Sequence, residues 1–219
     1  MLQLTTPAPD LPRSGSGRPT REQAQARVAE LLDAALAHFL DKGYELATIE
    51  AIAASVNMTK RTVYVKFADK SALFIAAVSR AIERVMVPDA SLAAIDRSDL
   101  EASLVAVAKL RLRHLMTDEG LMLQRIINTE SYRFPQIMTE SFERGAGPII
   151  DFVAQQLLQH SPPHSAAHNR SDLAASAFMS MVIGGPVRML VTGMPLSASE
   201  IDDRIAFSVR LFVEGAGAA

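Results

Sequence analysis

Residues 47–78 read ATIEAIAASVNMTKRTVYVKFADKSALFIAAV. Two short helices are written into the first half of this stretch. Thr48 stands where an N-cap is needed, and Glu50 follows in the first turn, where a carboxylate meets the positive end of the helix dipole. Ile49, Ile52, Ala53 and Val56 then recur on one face. Val56-Asn57-Met58 interrupts the pattern as a three-residue turn. Asn57 is the non-glycine residue type that best tolerates the left-handed backbone such a turn requires. Thr59 caps a second helix that turns Val63 and Phe67 inward. The small side chains Ala53 and Ala54 allow it to approach the first closely. Thr59, Lys60, Arg61, Thr62, Tyr64 and Lys66 are left outside or at the edge. Cations, hydroxyls and one phenol are the groups that hold phosphates and read base edges. The stretch is a helix-turn-helix whose recognition helix covers residues 59–67.

Working outward, Val28, Leu31, Leu32, Ala35, Leu36 and Phe39 form one apolar stripe on a long helix beginning at Arg21. Gly43 ends it, at a position suited to a left-handed C-cap. Residues 1–20 are rich in Pro, Ser, Thr and Gly and read as a flexible tail, with Ser14-Gly15-Ser16-Gly17 of linker character. On the other side, Leu73, Phe74, Ala77 and Val78 open a fourth helix, closed by Pro88. Ser98 to Glu101 has the form of a capping box with Ser98 as N-cap. Amphipathic stretches follow over 100–115, 119–134 and 135–159. Residues 160–171 read as a loop. An apolar helix runs from Asp172 to Leu190 with Gly184-Gly185-Pro186 inside it, where Pro186 is expected to kink it. Ser197 to Glu200 is a second capping box, opening a final helix to Glu214. The class is all-α, with about nine helices.

The chain has 219 residues, 49% hydrophobic and 21% charged, enough for a substantial core. It contains no cysteine, which excludes disulfides, thiolate metal sites and a cysteine nucleophile. No apolar run is read as long enough to cross a bilayer, and Pro7, Pro9, Asp10 and Pro12 break up the N-terminus. A cytoplasmic protein without a membrane partner is the expectation. Net charge is −2, but its distribution is uneven. Three of the five lysines fall between residues 60 and 70 beside Arg61. Such a cluster suits nucleic acid, though it also suits a solvated face.

The segment from Leu31 to Val78 resembles the DNA-binding domain of the TetR/AcrR family of bacterial transcriptional regulators. The resemblance rests on Thr48 opening the second helix and on Ile52-Ala53-Ala54-Ser55-Val56. It continues through Thr62-Val63-Tyr64-Val65-Lys66-Phe67 to the helix start Ala68-Asp69-Lys70-Ser71-Ala72-Leu73. Asn57 departs from the pattern, standing where the family usually has glycine. The resemblance implies that Thr48, Thr62, Tyr64, Lys66 and Lys70 hold DNA phosphates. It implies that Thr59, Lys60, Arg61 and Val65 face base edges, with Lys60 and Arg61 suited to guanine and Val65 to a thymine methyl group. Simpler readings stand beside these. Thr48 and Thr59 would cap helices in any case, and Tyr64 could be a core aromatic with a wet hydroxyl. Arg13, Arg18 and Arg21 could form an N-terminal arm.

The resemblance further implies a division into a tail (1–20), a helix-turn-helix domain (21–68), a connecting helix (69–88) and a regulatory and dimerisation domain (89–219). The Gly-Gly-Pro stretch is similar to that of the AefR-like C-terminal group. The expected partners are a double-stranded, palindromic DNA operator, a second copy held through the last two helices, and a small-molecule effector. The expected output is a ligand-released homodimeric repressor; control by a protein partner is the alternative. Pocket candidates are Leu112, Met116, Met122, Ile126, Met138, Phe142, Phe152, Phe178 and Met179, and methionine suits an adaptable cavity. The same residues at helical spacing could equally be packing. Arg111, Arg113, Arg125 and Arg133 could select an acidic ligand. His160, His164 and His168 recur every four residues, but Pro162 and Pro163 break any helix through the first two. Only His164 and His168 could share a helical face, with no cysteine and few acids nearby, so no metal is expected. No cofactor is implied, and no phosphate loop, nucleophile elbow or paired Glu-x-x-His suggests an enzyme.

Overall fold

The computed structural model describes residues 20–194 and 196–216. The expected tail, with Arg13 and Arg18, therefore lies outside the described residues, apart from Thr20. That residue is the N-cap of α1 (Arg21–Leu46): its hydroxyl accepts from the Gln23 N–H, and the Gln23 side chain accepts in return from the Thr20 N–H. Gly43 breaks the helical path of α1 with φ of +74° and ψ of 165°. The positive φ expected there is present, but the backbone is extended and not the left-handed helical turn of a C-cap, and helical turns resume to Leu46.

The order of elements continues with α2 (Ile49–Ser55), α3 (Lys60–Lys66), α4 (Lys70–Val85), α5 (Asp89–Ala93), α6 (Leu100–Leu115) and α7 (Asp118–Glu130). Next come α8 (Pro135–Ser141), a π-helical turn (Phe142–Ala146) and α9 (Gly147–His160), which run as one rod. A short α10 (Ala166–Asn169) lies inside the stretch expected to be a loop, with Ser165 as its cap. Then α11 (Ser171–Met179), a second π-helical turn (Ser180–Gly184) and α12 (Gly185–Val191) run together, and α13 (Ala198–Gly215) ends the described chain. No strand occurs among the described residues, so the all-α class holds. The nine expected helices are joined by α5 and α10.

Two expectations are corrected. The cap of α6 is Asp99, not Ser98: its carboxylate accepts from the Ala102 N–H at 2.7 Å, while Ser98 belongs to a turn closed by Asp96. Either residue type can cap, and the closer carboxylate wins. The span Ser171–Val191 is also long and apolar enough to cross a membrane, with mean hydropathy 1.5 and only a third of its apolar window buried.

Both π turns precede a Gly-Pro pair, Gly147-Pro148 and Gly185-Pro186. Proline has no N–H to give to the carbonyl four residues back, and its ring crowds that carbonyl. A wider turn relieves both faults, and in the first of them the Gly147 N–H reaches back to Phe142. The kink expected at Pro186 is therefore taken up as a π turn.

Helix α4 holds the two halves together. Leu73, Phe74, Ala77, Val78, Ala81, Ile82 and Val85 are all buried, because α1 covers one side and α7 and α8 the other. Charges reinforce the joint. Arg80 and Arg84 both bind Asp33 of α1, Arg84 also binds Glu119 of α7, and Arg144 bridges Glu83 and Glu140. Burial opposes ionisation of Asp33, but the hydrogen bonds and charges of Arg80 and Arg84 outweigh it and hold the carboxyl below its ordinary 3.8. The tether is therefore complete above the unfolded-state value and is lost as pH falls through the lower folded-state value. Its partners are partly exposed, so its worth is below about 1 kcal/mol. Asp33→Asn is expected to lower the melting midpoint slightly near neutral pH, and this difference should shrink as pH falls below 3.8 and vanish below the folded-state value. A pH-independent difference would reject the electrostatic account.

Candidate functional site

The helix-turn-helix is closed by its own backbone and caps. Thr48 Oγ1 accepts from the Ala51 N–H, and Thr59 Oγ1 accepts from the Thr62 N–H at 3.1 Å. Between them Asn57 takes φ of +53°, as the sequence requires, and the Met58 N–H returns to the Ala53 carbonyl at 2.8 Å. Ile52, Ala53, Val56 and Val63 form the miniature core. Ala54 is exposed, so only Ala53 serves the close approach of the two helices, and Phe67 is half-buried. One contact has no local sequence signal: Arg27 of α1 donates to the Val56 carbonyl at 3.1 Å and secures the end of α2.

The outward face of α3 carries Lys60, Arg61, Thr62, Tyr64, Val65 and Lys66, all exposed, with Thr48 and Thr59 exposed at the two helix starts. Val65 is 80% exposed, a large apolar side chain displayed to water. Tyr64 is 45% exposed, so it is not a core aromatic. Lys60 pairs with Glu50 and lies over the Tyr64 ring, 5.7 Å from its centroid. The hydrogen bond between Lys60 and Glu50 raises the ammonium and lowers the carboxyl. Arg61 and Lys66 make no ion pair among the described residues. Lys70 is placed differently. Its half-buried ammonium donates to the Glu45 and Ala47 carbonyls at 3.0 and 2.9 Å and sits 4.5 Å from the Tyr44 ring centroid. It pins the connection between α1 and α2 to the start of α4.

Behind this surface lies an aromatic joint. Phe74 of α4 meets Phe39 and Tyr44 of α1 edge-on, with centroids 5.0 and 5.2 Å away, and Phe134 before α8 at 4.8 Å. Tyr44 also meets Phe134 at 4.8 Å, and its hydroxyl shares a 2.8 Å hydrogen bond with Ser71. Arg133 belongs here and not to a ligand pocket. It pairs with Glu45 and stacks on Tyr44.

The nine pocket candidates divide among three clefts and the core. Met122 and Ile126 line a cleft of about 910 Å3 between α1 and α7, together with Arg125. Leu112 and Met116 line one of about 840 Å3 between α6 and α13, with Arg113. Met138, Phe142 and Met179 line a cleft of about 490 Å3 between α6, α7 and the two π turns, with Arg111. Phe152 and Phe178 are buried packing: Arg97 stacks on the first, and the second meets Phe212 with centroids 5.1 Å apart. His160 donates from Nε2 to the Arg97 carbonyl at 2.8 Å. No group of three His, Asp or Glu side chains is arranged to share an ion among the described residues.

Two family models match the chain. One, described as bacterial regulatory proteins of the tetR family, covers residues 31–77; the other, the AefR-like transcriptional repressor C-terminal domain, covers residues 102–215. An HTH-type transcriptional regulator of Mycobacterium tuberculosis is 27% identical over 64% of this chain and 67% of its own length. The HTH-type regulator YdeS of Bacillus subtilis is 24% identical over 88% of this chain and 91% of its own. Among solved structures, a TetR-family regulator from Mesorhizobium loti superposes with a TM-score of 0.72 at 26% identity, covering 91% of this chain and all of the other. The flavonoid-responsive regulator FrrA gives 0.64 at 26% identity, covering 87% and 97%. The chain belongs to the tetR family of bacterial helix-turn-helix transcriptional regulators, with a C-terminal domain of the AefR-like kind.

Proposed function

We propose that this protein is a homodimeric repressor that leaves its operator when a small molecule occupies the helical domain. The observation that carries the reading is a single buried helix, α4, joining an exposed cationic face on α3 to a domain containing an open cleft of ligand size. Thr48, Thr62, Tyr64 and Lys66 hold phosphates; Thr59, Lys60, Arg61 and Val65 meet base edges. Lys60 exchanges Glu50 for DNA on binding. Lys70 contributes its remaining donor and the position of the α4 start. Residues 21–68 act as the reading unit, 69–88 as the connector and 89–219 as the regulatory and dimerisation unit. Two copies present their α3 helices about 34 Å apart, one turn of B-DNA, to a palindromic site.

An effector that prefers one packing of the helical domain shifts α4 and thereby changes that spacing. FrrA is flavonoid-responsive, which supports a small-molecule effector for this relative as well. The protein acts on DNA in the cytoplasm, without a reaction of its own and without a membrane partner.

The test is a titration of the protein against its own upstream intergenic DNA and a scrambled duplex at two salt concentrations. Preference for the upstream duplex that survives the higher salt is expected; equal binding to both rejects sequence-specific autoregulation. Two variants separate the two kinds of DNA recognition. Lys66→Ala is expected to weaken binding to every duplex and to reduce the salt slope by about one per half-site, as befits a phosphate-binding cation. Arg61→Ala is expected to cost about 1–3 kcal/mol per half-site and to relax preference at one base position. An equal loss on all sequences would reject base reading by Arg61.

A further inference from the structure

Arg111 of α6 is 7% exposed and has no carboxylate partner among the described residues. A guanidinium carries five donors, and this one makes a single long hydrogen bond, 3.5 Å to the Val85 carbonyl. Burial alone holds it down at about 10, which still leaves a full cation at neutral pH. Gly145 leaves it room: a Cβ there would stand 3.2 Å from Arg111 Nη2, a tight contact that the guanidinium would have to yield to. A buried cation without a partner is costly, and one on the wall of an open cleft is available to an anion from outside.

The cleft it lines has no acidic residue among those described. Arg188, exposed on α12, is its second charged group. Gln124, Asn128 and four hydroxyl side chains supply neutral polar atoms, while Met138, Phe142, Met179 and Val187 supply apolar surface. The two larger clefts differ on this point. In the one beside α1, Arg84 is already bound by Asp33 and Glu119, and in the one beside α13, Lys109 is bound by Asp202 at 2.9 Å. The other cation of each, Arg125 and Arg113, is exposed to water, whereas Arg111 is buried without a carboxylate. Both π turns border the cleft of Arg111, so its walls are the two places where the helical ladder is locally widened. Volume favours the other clefts; unsatisfied charge favours this one.

We propose that the cleft between α6, α7 and the two π turns binds an organic carboxylate, with the acid group on the Arg111 guanidinium and an apolar body against Met138, Phe142 and Met179. This rests on the reading of the helical domain as an effector site and names the effector's chemical class. Arg188 closes the mouth over the same negative charge. An uncharged analogue of the same shape leaves Arg111 unpaired and binds more weakly.

The test uses the full chain and a panel of matched pairs, each a carboxylic acid and its primary amide, including decanoate with decanamide and 2-naphthoate with 2-naphthamide. Binding is read as the shift in melting midpoint and by calorimetry. At least one acid is expected to bind about tenfold or more tighter than its amide. Arg111→Met is expected to erase that preference by weakening the acid far more than the amide, and to raise the melting midpoint of the free protein by removing an unpaired buried cation. If Arg111→Met does not fold, the acid-to-amide ratio of the unaltered chain decides alone. Equal binding of acid and amide, or no binding by any acid at millimolar concentration, overturns the carboxylate site. Addition of the binding acid to the protein on its upstream DNA addresses the other reading. Arg111-dependent binding that fails to release the duplex keeps the carboxylate site and rejects ligand-released repression.

Discussion

Phe74→Ala is expected to lower the unfolding free energy by about 3–5 kcal/mol, the range for emptying a buried aromatic site. Phe74 is 1% exposed and is the ring to which both halves of the molecule attach. It touches Phe39 and Tyr44 on the side of α1 and Phe134 on the side of α8. Each such aromatic pair adds about 0.5–1.5 kcal/mol beyond the area it buries, so the upper part of the range is expected. In a chain of this length the loss corresponds to a fall in melting midpoint of roughly 10 °C. Phe74→Leu keeps most of the volume and should cost less than about 1.5 kcal/mol. Urea denaturation of the three proteins measures both values. A loss below about 2 kcal/mol for Phe74→Ala would mean that the ring is not the joint between the halves.

The second large effect is expected on assembly and not on folding. Along α13, Ile201, Ile205 and Val209 are buried against the body of the protein, whereas Phe207 and Leu211 are 62% and 53% exposed. Two residues along a helix turn the side chain through about 200°, so the exposed pair stands opposite the buried row. Helix α13 is thus apolar on two faces and has a partner within the chain for only one. The span Ser171–Val191 shows the same excess, with Leu173 58% exposed, and the groove between α11 and α13 is apolar. Phe207→Asp with Leu211→Asp is expected to convert the proposed dimer to monomer while leaving helical content and the melting transition of the monomer intact. Operator affinity should fall about 100-fold to 10,000-fold, because the second half-site is then bound independently. Sedimentation and DNA titration of one sample check both halves of the expectation. A variant that remains dimeric would place the interface elsewhere.

Local signals were the most legible part of the chain. Thr48, Thr59 and Ser197 cap where their residue type and spacing require, and Asn57 takes the left-handed turn conformation. Gly-Pro pairs mark the π turns, yet the widening itself comes from a contest between ring sterics and helix continuity that periodicity does not register. The pocket was legible only as a set of residue types. A helical stripe presents Met122, Met138 and Phe178 alike, yet Phe178 is buried in the core while Met122 and Met138 stand exposed on two different open clefts. Long-range bonds to main-chain carbonyls left no trace at all. Lys70 reaching Glu45 and Ala47, and Arg27 reaching Val56, depend on how α4 and α1 cross, and no spacing within either helix encodes that.

The placement of the tyrosines gives the molecule an optical property. It has no tryptophan and three tyrosines. Tyr132 is 96% exposed, Tyr64 stands on the outer face of α3, and Tyr44 is fixed in the joint between the two halves under the charges of Arg133 and Lys70. Near-ultraviolet dichroism requires a chromophore held in an asymmetric environment. The tyrosine band of this protein therefore originates mainly from Tyr44, the residue that a displaced α4 would disturb first. The unlabelled chain carries its own spectroscopic gauge of how α1 packs on α4 and on the segment before α8.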